Sequence, residues 1–425
     1  MGRQEVRVVQ RIVPRRAAPI VQALLREEPV IAIQGARAVG KTTLLRQIAD
    51  AAGVTVIDLD DLATRDAVEA DPALFVGGPA PVCIDEYQHV PAVLDAIKAE
   101  LNVDGSPGRF VLTGSTRHEA LPQAAQALTG RLHLFTVFPL SQGEIHGTHE
   151  RFMETLLRAP EQLVTSRPSS TSRQRYVEQV TTGGFPMAVG RSETARNRWF
   201  DDYVELALER DVRELARIRQ RAQLPRLLRR LAAQTAQVLN VAKAGKDAGL
   251  PKSTAEDYTK LLEAVFLVYR LPAWGTTLSA RSASHPKLHV VDAGLAARLL
   301  GLSSSTLSVP DVASLQQFGH LLETFVVGEC RKQLSWLDDI ALVGHWRTHD
   351  RIEVDLVVET DDGRVAAIEV KSGSRVPAHA LAGLRLLRDK LQDRFVAGVA
   401  LYTGERSYTY DDRIHVLPVD RLWMA

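Results

Sequence analysis

Gly35-Ala36-Arg37-Ala38-Val39-Gly40-Lys41-Thr42 fits the phosphate-binding loop pattern G-x-x-x-x-G-K-[ST] at every fixed position. The apolar run 30–33 leads into the first glycine, and residues 43–48 continue with helical spacing. A strand, a glycine-rich turn and a helix N-terminus together direct backbone N–H groups at a phosphate chain. A chance glycine turn is the alternative, but it accounts for neither the strand nor the helix. We therefore predict a nucleotide site that extends to Thr43, with Lys41 on the β- and γ-phosphates and the Thr42 hydroxyl on Mg²⁺.

Two adjacent carboxylates, Asp85 and Glu86, follow the short apolar strand 81–84. We predict that Asp85 lies in the Mg²⁺ shell and that Glu86 polarises the water that attacks the γ-phosphate. Acidic strand ends are also common for structural reasons alone. Because this pair accompanies a phosphate-binding loop, it indicates a site that hydrolyses ATP.

Another apolar run, 109–112, ends in Thr113-Gly114-Ser115. Polar side chains at such a strand end can sense the γ-phosphate, so Thr113 and Ser115 are candidate nucleotide contacts. The run 54–60 predicts an additional strand between the phosphate loop and the carboxylate pair. Such an insertion is typical of the ATPase branch that carries a catalytic glutamate.

The composition is that of an ordinary globular protein, with 45% hydrophobic and 24% charged residues among 425 and a net charge of +1. This balance excludes a global attraction to nucleic acid or to anionic membrane, so any such attraction has to be local. Two cysteines, Cys83 and Cys330, in unrelated apolar segments argue against a disulfide framework. No apolar run approaches the roughly 20 residues that span a bilayer. We expect a cytoplasmic protein with no membrane association.

The pattern along the chain predicts four parts. Residues 1–150 alternate strands and helices, which predicts an α/β fold with a parallel sheet. Residues 151–175, rich in Ser, Thr, Pro and Arg toward their end, are predicted to be a linker. Helical patterns dominate residues 176–280, and residues 281–425 form the last predicted domain.

A helix-turn-helix pattern lies in the third part. Residues 239–248 and a second helix capped by Ser253 flank Gly249-Leu250-Pro251, and the strand-like run 266–271 follows. This is the outline of a winged helix-turn-helix. Such a module binds DNA in some proteins and is a structural or protein-docking element in others, and the sequence leaves both uses open.

The last part carries a second group of charged residues. Residues 351–358 and 364–372 read as a strand pair around the turn Asp361-Asp362-Gly363. Side chains alternate along strands, so Asp355, Glu369 and Lys371 can share one face. Two carboxylates and a lysine suit Mg²⁺-assisted phosphodiester cleavage, with Asp355 and Glu369 as metal ligands, and Glu323 on an upstream helix is a possible fourth member. Solvent-facing charges on an amphipathic hairpin are the alternative.

The whole chain resembles a prokaryotic family of AAA+-type ATPases fused to a C-terminal domain of uncharacterised function with a restriction-endonuclease-like, PD-(D/E)xK core. The resemblance is carried by 35–44, 82–86, 112–115, Gly130-Arg131, Pro139-Leu140-Ser141 with Glu144, 183–186, 209–212 and the set Asp355, Glu369 and Lys371. It implies a P-loop NTPase of the AAA+/ASCE type, a helical and winged-helix middle domain, and a C-terminal endonuclease-like α/β domain. The family usually has Pro and Gln at the positions of Ala36 and Ala38, which do not contact the nucleotide.

The resemblance also implies that Arg131 is an arginine finger for a γ-phosphate, in the same subunit or in a neighbour of a homo-oligomer. Three functions stay open: an ATPase acting on DNA with a C-terminal site that cuts or grips it, a nucleotide-dependent signalling or defence switch with a protein partner, and a scaffold with an inactive nuclease-like domain. All include ATP and Mg²⁺ as expected ligands of residues 35–43.

Overall fold

The computed structural model describes residues 12–120, 128–215, 220–275, 285–350 and 352–424. The strands in these ranges, numbered in chain order, are β1 (Val30–Gln34), β2 (Val56–Asp58), β3 (Val82–Asp85), β4 (Phe110–Gly114), β5 (Leu132–Thr136), β6 (Gln237–Val238), β7 (Val268–Leu271), β8 (Lys287–Val290), β9 (Ile340–Arg347), β10 (Glu353–Thr360), β11 (Val365–Lys371), β12 (Phe395–Tyr402), β13 (Tyr408–Asp411) and β14 (Ile414–Pro418).

The helices in the same ranges are α1 (Ala17–Leu24), α2 (Lys41–Ala52), α3 (Leu62–Ala70), α4 (Pro72–Val76), α5 (Ala92–Val103), α6 (Gln142–His146), α7 (Phe152–Arg158), α8 (Arg173–Thr182), α9 (Glu193–Leu206), α10 (Val212–Leu215), α11 (Leu224–Ala232), α12 (Val241–Ala248), α13 (Lys252–Ala264), α14 (Ala293–Leu299), α15 (Ser304–Leu307), α16 (Val312–Leu334), α17 (Ala382–Leu391) and α18 (Arg421–Met424). A π-helical turn, Ala207–Asp211, joins α9 to α10.

The first sheet is entirely parallel, in the order β2-β3-β4-β1-β5. Every residue of β1, β3 and β4 is buried. Continuous burial is expected where helices cover both faces of a parallel sheet. The predicted parallel α/β architecture is confirmed.

The strand that separates β1 from β3 in space is β4. The strand predicted over 54–60 is shorter, and as β2 it lies at the sheet edge beyond β3. Crossover connections allow neighbouring parallel strands to be far apart in the chain. The order of strands in the sequence therefore does not reveal that β4 is the strand that lies between β1 and β3. The insertion puts the polar end of β4 beside both the phosphate loop and the carboxylate pair.

Residues 151–175 differ from a plain linker. Their first part forms α7, in which Phe152, Met153, Leu156 and Leu157 are buried. The apolar spacing of this helix packs it against the C-terminal sheet and α16. Polar, irregular chain follows only after the turn Pro160–Leu163.

A three-stranded antiparallel sheet, β6-β8-β7, accompanies α11, α12 and α13. The predicted helices are present on either side of Gly249, which adopts a left-handed conformation and ends α12. The N-cap of α13 is Pro251 rather than Ser253, and no side chain caps this end. Because β8 pairs with β6 and β7, the unit extends beyond the boundary predicted at residue 280. We call the segment from α8 to the end of β8, which includes the π-helical turn, the middle unit.

The C-terminal sheet is mixed, in the order β13-β14-β12-β11-β10-β9. Strands β9, β10 and β11 are antiparallel neighbours, whereas β11, β12 and β14 run parallel. Helix α17 provides the crossover between β11 and β12. The long helix α16 packs against β10 and β11.

One hydrophobic cluster joins the first sheet, the middle unit and the C-terminal domain. It contains Ile31 of β1, Phe200 of α9, Phe325 of α16 and Trp423 of α18. Polar contacts reinforce this junction: the Nζ of Lys332 on α16 donates to the carbonyl of Leu140 over 2.9 Å. The parts are therefore packed on one another rather than strung on a flexible linker.

Cys83 and Cys330 are both free thiols buried in the core, as their positions in unrelated segments predict. Across the described part of the chain, we find no helix with the length and apolarity needed to cross a membrane.

Candidate functional site

The loop between β1 and α2 is shaped by its glycines. Gly35 has a φ of 154°, and a Cβ there would lie 2.2 Å from the carbonyl oxygen of Val137. Gly40 has a φ of 100°, in the left-handed region that favours glycine, and leads directly into α2. Ala38 also has a positive φ, 62°. These conformations turn the loop tightly, so that the N-terminus of α2 faces its interior.

Lys41 lies inside this loop. Its Nζ donates to the carbonyls of Gly35 and Ala36, at 3.0 Å each, and the side chain is buried. Burial lowers the pKa of Lys41, while the charges of Glu86 and Asp85 act in the opposite direction. The amine therefore lies where a phosphate chain cradled by the loop would meet it.

Asp85 and Thr113 meet where β3 and β4 end. The Thr113 hydroxyl donates a hydrogen bond to Oδ1 of Asp85. Burial raises the pKa of Asp85, and hydrogen bonds from Thr113 and Thr42 partly offset this effect. The structure thus brings the predicted metal ligands Thr42 and Asp85 together.

Glu86 is held in a strained and well-defined position. Its φ of 53° and ψ of 46° are left-handed, an uncommon conformation for a residue other than glycine. Its Oε2 accepts from the backbone N–H of Ser115 over 3.2 Å and from Nε2 of Gln88 over 2.5 Å. Burial would raise its pKa, but Lys41, Gln88, Arg37 and Ser115 outweigh burial, and the pKa is lowered. Glu86 is therefore an ionised base fixed beside the loop.

Gln88 was not predicted from the sequence. Its Nε2 also donates to the Ser115 hydroxyl over 3.2 Å, so Gln88 ties Glu86 to the end of β4. Its position two residues after the carboxylate pair is the only signal that the sequence carries, and that signal is weak.

The π-helical turn of the middle unit contacts the loop directly. Asp211 receives hydrogen bonds from Arg37, the shortest 2.7 Å long, and Nη2 of Arg210 donates to Oδ1 of Asp60 over 2.6 Å. Arg210 and Asp211 lie in the stretch 209–212 that carries the family resemblance, but the sequence alone predicts no role for either side chain. A nucleotide bound at the loop would therefore lie against the middle unit as well as the first sheet.

The loop after β4 contacts the middle unit too. The backbone N–H of Arg117 donates to the carbonyl of Ala264 over 2.8 Å, and its Nε donates to the carbonyl of Glu263 over 2.9 Å. Its guanidinium lies 4.7 Å from the ring centroid of Phe266. The end of α13 is thus fixed to the strand that carries Thr113 and Ser115.

Arg131 lies away from the phosphate loop. It is exposed, it precedes β5, and its Nη1 donates to Oδ1 of Asn102 over 2.8 Å. The phosphate loop follows the opposite ends of these parallel strands, and a strand of this length spans about 17 Å. In this arrangement Arg131 cannot reach a phosphate on its own loop, so the prediction of a role within one subunit is not supported.

The second charged group is assembled as predicted from β10, β11 and α16. Asp355 and Glu369 are buried and Glu323 is largely buried, while Lys371 is half-buried. The Nζ of Lys371 donates to Oε1 of Glu369 over 2.6 Å, and Oδ2 of Asp355 accepts from the backbone N–H of Val370 over 2.9 Å. Oε2 of Glu369 is buried and makes no hydrogen bond with any residue that the structure describes.

Lys287 of β8 is the unexpected member of this group. Its Nζ donates to Oε1 of Glu323 over 2.7 Å and to Oδ1 of Asp355 over 2.8 Å. Lys287 could not be predicted as a neighbour of Asp355 from the sequence, because it belongs to a different sheet and lies 68 residues earlier in the chain. The described residues contain no set of three histidine, cysteine or carboxylate side chains arranged to hold a metal ion. As the structure stands, an ammonium group takes the contacts of Asp355 and Glu323 that a metal would need.

The carboxylates of this group differ in charge state. Burial and the nearby Asp355 raise the pKa of Glu369 to about 8. Burial would also raise the pKa of Asp355, but Lys287 outweighs it and the pKa is lowered. Burial and Asp355 raise the pKa of Glu323 well above its ordinary value. Asp355 is therefore the ionised partner of Lys287.

Three family models match successive parts of the chain. An AAA domain matches residues 27–146, a domain of unknown function (DUF8612) matches residues 173–306, and another domain of unknown function (DUF4143) matches residues 318–422. The AAA match supports the binding and hydrolysis of ATP by the first part. The second match includes Lys287, in agreement with its place in the middle unit.

Among curated proteins, uncharacterized proteins of Mycobacterium tuberculosis and Mycobacterium bovis are each 27% identical over 414 residues, covering 96% of this chain and 84% of theirs. Among solved structures, a Walker-type ATPase of Pyrococcus abyssi is similar with a TM-score of 0.40 and 14% identity over 68% of this chain and 96% of its own. The Holliday junction branch migration motor RuvB of Thermotoga maritima follows, with a TM-score of 0.30 and 14% identity over 61% of this chain and 90% of its own.

The family matches and the geometry of residues 35–43 agree on the first part of the molecule. The chain carries an AAA-type ATPase domain, followed by a middle segment and a C-terminal domain of unknown function.

Proposed function

We propose that this chain is a Mg²⁺-dependent ATPase that acts on DNA through a C-terminal nuclease-like site. The observation that carries the ATPase part is the position of Glu86. An ionised carboxylate in a strained conformation, fixed by Gln88 and Ser115 beside Lys41, has the properties of a base for an attacking water.

The residues around the phosphate loop have different roles in the binding and hydrolysis of ATP. The backbone N–H groups at the start of α2 and the amine of Lys41 bind the β- and γ-phosphates. Thr113 donates to Asp85, and the backbone N–H of Ser115 donates to Glu86. Loss of the γ-phosphate would change these contacts and, through them, the position of the loop that holds Arg117. Glu86 accepts the proton of the attacking water.

Thr42 and Asp85 fit Mg²⁺, because both offer hard oxygen donors and they lie within hydrogen-bond contact of each other. When bound, the ion neutralises charge that develops on the phosphates. The hydrogen bond from Thr113 orients the Asp85 carboxylate for this role.

Arg131 is proposed to act between subunits. It is exposed and precedes β5, which lies at the edge of the first sheet. An arginine there is available to the phosphate loop of a neighbouring copy in a homo-oligomer. Arginine fingers supplied in this way accelerate phosphoryl transfer by 10³–10⁵ in known systems.

The nuclease-like part rests on topology and on the side chains. Helix α16 is followed by the antiparallel strands β9, β10 and β11, the crossover α17 and the parallel strand β12. This order supports the proposal of a restriction-endonuclease-like core. Asp355, Glu369 and Lys371 lie together on β10 and β11, and Oε2 of Glu369 is a buried oxygen with no hydrogen-bond partner among the described residues. Asp355 and Glu369 would hold the metal, and Lys371 would stabilise charge on the phosphodiester.

A second candidate is a nucleotide-dependent signalling or defence switch with a protein partner. The exposed face of α13, the recognition helix of a winged helix-turn-helix, carries Lys252 and Lys260 but also Asp257. Mixed charge is less suited to a phosphate backbone than to a protein surface. In this candidate the C-terminal site is inactive.

ATP turnover of the purified protein, with and without single- and double-stranded DNA, tests the proposal. We expect turnover that needs Mg²⁺ and rises with DNA, and Lys41→Ala should lose both turnover and nucleotide affinity. Lys98→Ala is the matched control, because Lys98 is an exposed lysine of α5 in the same domain. Turnover in Lys41→Ala equal to that of Lys98→Ala would exclude the assigned site, and turnover indifferent to DNA would favour the switch.

DNA cleavage is tested separately with Mg²⁺ or Mn²⁺ on plasmid and single-stranded DNA. We expect nicking by the wild type that is lost in Asp355→Ala and Lys371→Ala. Nicking that persists in both variants would assign the activity to a contaminant.

A further inference from the structure

We infer that Lys287 is an internal cation that closes the acidic site of the C-terminal domain, and that a divalent ion binds Asp355 and Glu369 only when Lys287 has left. The inference rests on the proposed metal site and specifies how that site is regulated. Its basis is the pair of hydrogen bonds from Nζ of Lys287, 2.7 Å to Glu323 and 2.8 Å to Asp355.

The ammonium group of Lys287 makes the contacts that a bound cation would make, and they differ from those of a surface salt bridge. Lys287 is 1% exposed, and its Nζ bridges carboxylates from two different elements, α16 and β10. A charged amine this deep in the protein repels any second cation that approaches the same oxygens.

The atoms that Lys287 contacts point in the same direction. Its Nζ bonds to carboxylate oxygens of Glu323 and Asp355, and carboxylate oxygens are the donors that a hard divalent cation takes. Buried ion groups seldom stabilise a fold more than apolar residues of the same volume would, so stability alone does not explain this lysine.

Lys287 is also carried by a different structural unit from the acids. It begins β8, where it pairs with Leu271 of β7, whereas Asp355 and Glu369 belong to the C-terminal sheet. Strand β7 follows α13, whose end receives the hydrogen bonds of Arg117 from the loop after β4. The amine therefore reaches the acids from a neighbouring sheet, so it can be removed without changing the strands that carry Asp355 and Glu369.

Binding of Mn²⁺ alone, measured by calorimetry without nucleotide or DNA, tests the inference. Removing the buried charge should raise Mn²⁺ affinity in Lys287→Ala at least about tenfold over the wild type. The gain should vanish in the double variant Lys287→Ala/Asp355→Asn, which assigns the ion to this site. Lys260→Ala, which removes an exposed lysine of the same middle unit, should behave as the wild type.

A folded Lys287→Ala variant whose Mn²⁺ affinity equals that of the wild type would overturn the inference. If Lys287→Ala does not fold, Lys287→Met fills the same space without charge and is judged by the same criterion. Tighter Mn²⁺ binding without DNA cleavage would refute the nuclease part of the proposed function and leave this inference standing. Cleavage and metal binding that ignore Lys287 would refute this inference alone.

Discussion

Arg37 of the phosphate loop and Asp211 of the π-helical turn form a two-pronged ion pair, although they lie 174 residues apart in the chain. Nη2 of Arg37 donates to Oδ1 of Asp211 over 2.7 Å, and Nε donates to the same oxygen over 3.1 Å. The Asp211 side chain is 2% exposed and that of Arg37 is 21% exposed. This pair fixes the middle unit to the loop that binds phosphate.

Asp211→Asn should destabilise the protein by about 1–3 kcal/mol, because it leaves the charge of Arg37 without its buried partner. Asp201→Asn is the control, since Asp201 pairs with Arg298 on the surface and exposed pairs contribute less than about 1 kcal/mol. Thermal unfolding of both variants measures the difference. Equal losses would show that the Arg37–Asp211 pair contributes no more than a surface contact.

Glu86→Gln should bind ATP as the wild type does and lose turnover. The amide keeps the size of the side chain and its contact with the Ser115 N–H, but it cannot accept a proton from water. Nucleotide affinity by calorimetry and phosphate release measure the two effects on the same samples. Turnover equal to that of the wild type would remove Glu86 from the reaction.

Arg131→Ala should cut turnover while sparing nucleotide affinity, because its side chain is remote from the loop of its own subunit. If the proposed action across subunits is correct, wild-type specific activity should rise with protein concentration and the variant should show no such rise. Mixing the variant with Lys41→Ala should restore some activity, since each supplies what the other lacks. Activity independent of both concentration and Arg131 would contradict the proposal.

His345 should make the protein sensitive to acid. Burial and the charge of Lys287 lower its pKa to about 4, and its Nδ1 has no hydrogen-bond partner among the residues of the described ranges. An unfolded histidine titrates near 6.5, so the folded state binds fewer protons between pH 6.5 and 4. The stability from neutral His345 is present above pH 6.5 and is lost as the pH falls toward 4, by about 3 kcal/mol in all.

Thermal unfolding of the wild type and of His345→Gln across this pH range checks the prediction. We expect the unfolding midpoint of the variant to fall less steeply with acidification, because its amide does not titrate. Parallel curves for the two proteins would assign the acid sensitivity to other groups.

The parts of the site that the sequence predicts are those formed within one short segment. Residues 35–43 lie between β1 and α2, and Asp85 and Glu86 lie at the end of β3, so the local sequence pattern reveals both the backbone shape and the chemistry. The pairing of Asp355 with Glu369 was also predictable, because a short turn fixes which strands are neighbours.

The contacts between distant segments were not predictable from these patterns. The neighbours of Arg37 and Asp355 include Asp211 and Lys287, which come from other units whose packing no local spacing encodes. Lys287 in particular is the first residue of a short strand, and no motif in the surrounding sequence marks it as part of a charged site. Its significance appears only when the sheet that carries it is packed against the sheet that carries the acids.

The hydrophobic cluster that joins β1, α9, α16 and α18 has a consequence for cooperativity. Parts that share one core cannot unfold separately without exposing apolar surface on those that remain, so heating should give a single calorimetric transition for the whole chain. A ligand that binds one part then stabilises the whole folded chain against unfolding. At a concentration of 100 times its Kd, it adds about 2.7 kcal/mol to the free energy of unfolding. A nucleotide bound at Lys41 should therefore slow hydrogen exchange in the C-terminal sheet as well as in the sheet that binds it.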